Sequence, residues 1–115
     1  MITTSNYPLA YNNGEDKQWP IVAGAGQIIS FDFSDFSIEA HSACKWDWVQ
    51  VIDGSGQELL KKSCGDTKPK SFTSKTNRAT VKFHSDGSIT RKGFRLEYFF
   101  KRGSGIQFNS RTKVY

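Results

Sequence analysis

In the stretch Gly93-Phe-Arg-Leu-Glu-Tyr-Phe-Phe100, the residues Phe94, Leu96, Tyr98 and Phe100 fall at every second position. Successive side chains of a strand point to opposite faces, so this spacing predicts one apolar face and one wet face. The same period returns in Gln27 to Phe33, with Ile29, Phe31 and Phe33 on one side, and again in Arg78 to Phe83. Trp48-Val-Gln-Val-Ile-Asp53 runs into Gly54-Ser-Gly56, a hairpin turn, and Gln57 to Ser63 leads back. Lys17 to Val22 reads as a weaker strand, because Pro20 has no amide hydrogen and suits an edge or bulge. No segment carries a helical period. Short strands punctuated by Gly and Asp turns predict an all-β protein, an antiparallel β-sandwich.

The chain has 115 residues, of which 37% are hydrophobic and 14% aromatic, the profile of one folded domain with a single core. That domain is expected over residues 1–102. Gly103-Ser-Gly105 reads as a break, and 103–115 as a flexible extension or linker. No run approaches the ~20 apolar residues of a membrane span. The N-terminus lacks a charged and then apolar leader pattern, so Met1 is expected to be an internal boundary or an added start.

Three acids stand where a strand meets a loop. Glu39 ends the run Phe31 to Ile38, Asp47 opens the run Trp48 to Ile52, and Asp86, with Ser88 two residues on, follows Ala79 to Phe83. Carboxylates aimed at one point repel unless a cation lies between them, and a hard ion such as calcium takes about 6–8 oxygens. Strand ends also carry solvated acids with no such role. Cys44 and Cys64 bracket the central hairpin, whose ends come close enough to bridge. A disulfide closing that loop would stabilise the fold by about 3 kcal/mol in the chain-entropy model and imply an oxidising compartment. Two separate buried thiols remain the alternative.

The formal net charge is +5, from 16 Lys+Arg against 11 Asp+Glu. The surplus gathers at Lys61-Lys62, Lys68 and Lys70, Arg91-Lys92, Lys101-Arg102 and the tail. Scattered basic turns are most often solvated. As a binding surface, Lys61, Lys62, Arg91 and Lys92 would suit a glycosaminoglycan, with nucleic acid not expected. Catalysis is not expected: His84, Ser85 and Asp86 are sequence neighbours and cannot line up as a hydrogen-bonded triad. Trp46 and Trp48 could stack on a sugar or a partner, although at least one is expected in the core.

Taken in order, the motifs form a pattern. They are Ser5-Asn-Tyr-Pro-Leu-Ala-Tyr11, Trp19-Pro-Ile21, Phe31-x-Phe33-x-x-Phe36-x-Ile-Glu39 and Cys44-x-x-Asp47-x-Val49-x-Val-x-Asp-Gly54. Cys64-Gly65, Phe83-x-Ser-Asp-x-Ser88 and Gly93-Phe94-x-x-x-Tyr98 follow. Over roughly residues 2–100 the chain resembles a CUB domain, an extracellular jelly-roll β-sandwich. Most members carry four cysteines; here Gln18 stands before Trp19, where a cysteine is usual. The first CUB modules of complement-initiating proteases share that departure and are the nearest pattern.

The resemblance implies a calcium site formed by Glu39, Asp47 and Asp86, with Ser88 and a backbone carbonyl near Ile89. Calcium-binding relatives often carry Asn at the Ile89 position. It further implies a secreted, non-catalytic module of a larger protein. Its calcium-site acids, together with Tyr11, would receive a Lys or Arg from another extracellular protein. A purely structural or dimerising module is the remaining reading.

Overall fold

The computed structural model describes residues 1–103. It contains β1 (Ile2–Thr3), β2 (Asp16–Val22), β3 (Gln27–Ser37), β4 (Trp48–Asp53), β5 (Glu58–Ser63), β6 (Phe72–Thr73), β7 (Arg78–His84) and β8 (Gly93–Arg102). Two four-stranded antiparallel sheets form, in the orders β1-β8-β3-β6 and β2-β7-β4-β5. This is the expected all-β sandwich. The 103–115 extension lies, apart from Gly103, outside the described residues. No helix among the described residues is long and apolar enough to cross a membrane.

The core lies between the sheets and follows the sequence period. Val49 and Val51 of β4, Val81 and Phe83 of β7, and Phe94 and Leu96 of β8 are all buried. Phe94 meets Phe33 and Phe83 edge-on, the arrangement that aromatic quadrupoles favour. The apolar face of β8 fades toward its end: Tyr98 is half-buried, and Phe100 is exposed among the described residues. Pro20 sits opposite Thr80 on β2, an outer strand, where a missing amide donor disturbs no inner ladder.

Two features of β3 bear directly on the site. Phe31 and Phe33 point inward, but so do Phe36 and Ile38, three residues and then two further along. A register shift at Ser34 reconciles the two phases. The extra residue of a β-bulge inverts the alternation beyond it. Ile38 then exchanges two backbone hydrogen bonds with Gly65 (2.9 and 2.8 Å), fixing the direction in which the chain leaves toward Glu39. On the neighbouring strand β8, Gly93 pairs with Ser37 and holds φ +91°, and a Cβ there would stand 1.8 Å from Thr4 Oγ1. Only glycine fits, and Thr4 Oγ1 uses the close approach to accept from Phe94 N–H at 3.2 Å.

The two cysteines are joined, with Cα atoms 5.5 Å apart. The bond ties the loop before β4 to the end of β5. Neither Trp46 nor Trp48 belongs to the core, contrary to expectation. Trp48 occupies an outward position of β4 between Lys62 (4.4 Å to the ring centre) and the ring of His84, and Trp46 packs on His41 at an exposed loop.

Candidate metal centre

The three expected acids converge. One carboxylate oxygen from each of Glu39, Asp47 and Asp86 lies within 4.8 Å of the others. Strand pairing brings them near each other: Trp48 is opposite His84 in the β4–β7 ladder, so Asp47, one residue before Trp48, and Asp86, two past His84, leave the same end of the sheet. Asp86 N–H donates to Asp47 Oδ1 at 2.8 Å. The 12–15 loop pins the other side of Asp86, with Gly14 N–H donating to its carbonyl (2.7 Å) and Ser85 N–H to the carbonyl of Glu15 (2.8 Å). Ser85 Oγ donates to the Asn12 carbonyl, and His84 turns outward to Asp16, so the three form no catalytic relay. Ser88 N–H donates to Asp86 Oδ1 at 3.2 Å, and Ile89 follows at φ +57° on the exposed bend.

Tyr11 is inside the molecule rather than at its surface. The residue is 2% exposed, its ring meets Phe83 edge-on, and its hydroxyl donates to Asp47 Oδ2 at 2.6 Å. The phenol oxygen in turn accepts the Glu39 N–H at 3.2 Å. Burial, then the bond to Asp47, pushes the phenol far above its usual range, so it remains a donor. From inside the molecule its hydroxyl bonds both Asp47 and the Glu39 backbone. Nothing in its sequence neighbourhood signals this, because the bonds are made to residues distant in the chain.

Electrostatically the site is unsatisfied. Glu39 is 4% exposed, and its Oε1 is buried without a hydrogen-bond partner. Burial, followed by the charges of Asp47 and Asp86, raises its carboxyl above the ordinary value. Burial also raises Asp47, although the donors Tyr11 and Asp86 N–H pull the other way. Arg91 offers Glu39 partial relief. The expected basic turn is therefore split: Arg91 acts on the acid site, while Lys92 is paired with Asp35 at 2.8 Å.

A CUB domain model matches residues 1–98. The chain belongs to the CUB family. It is 37% identical over 100 residues to bone morphogenetic protein 1 of Xenopus laevis, covering 85% of this chain and 14% of that protein. The full extracellular region of zebrafish Gpr126/Adgrg6 contains a similar fold: TM-score 0.81 and 33% identity, covering 89% of this chain and 13% of that one. The MASP-1 CUB2 domain bound to Ca2+ is similar at TM-score 0.74 and 28% identity, covering 84% of this chain and 88% of that one. Against the curated relatives compared, the CUB domain spans 3–14% of their length. The CUB domain is a non-catalytic module, and in relatives such as bone morphogenetic protein 1 it forms a small part of a larger protein.

Proposed function

We propose that this CUB domain binds one calcium ion through Glu39, Asp47 and Asp86, completed by Ser88 and the Ile89 carbonyl. The loaded rim then receives a Lys or Arg of another extracellular protein. The carrying observation is Glu39 Oε1, a buried acid oxygen with no partner beside two further carboxylates. Leaving such an oxygen unpaired costs the desolvation of a charged group, and a cation removes that cost. The donor set is all oxygen, which suits a hard cation and not zinc or copper. Oxygens on opposite sides of one calcium stand about 4.6–5.2 Å apart, twice the Ca–O distance, so a 4.8 Å cluster accommodates one ion.

A bound ion supplies two positive charges to these oxygens. Tyr11 holds Asp47 and Glu39 in place, so little ordering is lost on binding. A partner ammonium would share carboxylate oxygens already engaged by the metal, which keeps single-site affinity modest and favours repeated contacts. The disulfide and the likeness to a domain of an extracellular region support an extracellular location.

Calorimetric titration with calcium tests the reading. Wild type should bind one equivalent and gain thermal stability. Asp86→Ala should melt in calcium where wild type melts in EDTA. Identical melting of wild type with and without calcium refutes it.

A further inference from the structure

A second surface lies on the other side of the disulfide. A groove of about 430 Å³ opens between β5 and the 67–70 loop, which crosses from one sheet to the other. That is within the roughly 300–1,000 Å³ range of ligand pockets. Its lining is mainly apolar, with Leu60, Pro69 and the Cys44–Cys64 bridge among its residues. Lys61, Lys62, Lys68 and Lys70 line it as well, and no acid does. None of these lysines has a carboxylate within ion-pairing distance among the described residues. Lys62 alone is engaged, over the Trp48 ring.

The backbone adds a third element. β5 is the outermost strand of its sheet, and among the described residues no strand pairs with its free side. Its six residues span about 20 Å at ~3.3 Å each. An exposed edge of this kind takes an extended peptide by strand addition, with main-chain bonds giving affinity and side-chain pockets giving choice.

We infer that the β5 groove binds an extended acidic peptide of a partner protein, one apolar side chain entering the groove with flanking carboxylates on the lysines. Charge and lining chemistry together select this occupant. A sulfated polysaccharide would use the lysines but leave the apolar lining and the strand edge idle. It would also gain little from the second basic turn, because Lys92 is already paired. The site is independent of the carboxylate cluster, so calcium is not required.

Fluorescein-labelled peptides of the form acetyl-Glu-Glu-X-Glu-Glu-amide, with X as Leu, Phe or Tyr, provide the probe. Titrated against the 115-residue protein in EDTA, at least one should bind at sub-millimolar concentration and shift backbone amide resonances of residues 58–70. K68E/K70E, two exposed changes checked by an unaltered spectrum elsewhere, should weaken binding at least tenfold. Methylating alternate peptide amides should abolish it. The proposal fails if none of the three binds at 1 mM, or if the shifts map to residues outside β5 and the 64–70 loop. It also fails if a heparin-derived hexasaccharide binds these lysines while the peptides do not.

Discussion

Tyr11 and Asp47, far apart in the chain, are joined by a buried 2.6 Å hydrogen bond between phenol and carboxylate. The phenol oxygen also accepts the Glu39 amide, so one atom links the exit of β3 to the entrance of β4. Both partners lose their bond if that oxygen is removed. Tyr11→Phe should therefore cost about 1–3 kcal/mol in denaturant unfolding without calcium, since two buried groups become unsatisfied. Calcium affinity should fall with it. An unchanged unfolding midpoint and affinity would leave Tyr11 as packing alone.

Acidity offers a separate check. Glu39 is raised from 4.5, first by burial and then by Asp47 and Asp86, and Asp47 is raised from 3.8 by burial. In the metal-free protein each raised carboxyl favours folding below its ordinary value. That contribution is lost as pH climbs through the folded-state value. Calcium binds the ionised forms and restores it. The rise in melting temperature caused by calcium should consequently be larger at pH 7 than at pH 4.5. An equal rise at both would contradict the assignment.

Arg91 bears on the same cluster with the opposite sign, lowering Glu39. A cation held there opposes a second one. Arg91→Gln should tighten calcium binding several-fold at low ionic strength, and 0.5 M salt should shrink the difference. Weaker binding in the variant would mean that Arg91 orders the loop instead.

Ile89 is β-branched, 55% exposed, and held at φ +57°. Left-handed backbone costs such a residue of order 1–3 kcal/mol, while Asn tolerates it. With little packing to lose, Ile89→Asn should raise stability in EDTA by about 1 kcal/mol. A lower melting temperature would show that the side chain packs usefully despite its exposure.

The strands were legible wherever alternation was local, as in β4, whose bounds Trp48 to Asp53 are those the pattern predicts. β1 and β6, two residues each, carry no period to read and exist only through their neighbours β8 and β3. The bulge at Ser34 could be inferred only once Phe33 and Phe36 were both known to point inward. Glu39, Asp47 and Asp86 were readable as a group because each ends or begins an apolar run. Tyr11 was named beside them only through the family resemblance, and its buried bonds, like the effect of Arg91 on Glu39, were not readable, because burial and field depend on which loops fold together. Lys92 looked free until the structure supplied Asp35.

The sheet β2-β7-β4-β5 guards its two margins differently. Pro20 withholds a donor along β2, and Lys61 and Lys62 charge the margin of β5. Like-charged margins repel, so identical domains strung along one polypeptide would not zip into a continuous ribbon. The lysines that turn away a sibling copy are the ones that would welcome a strand of opposite sign, so discrimination and attraction arise from the same few ammonium groups.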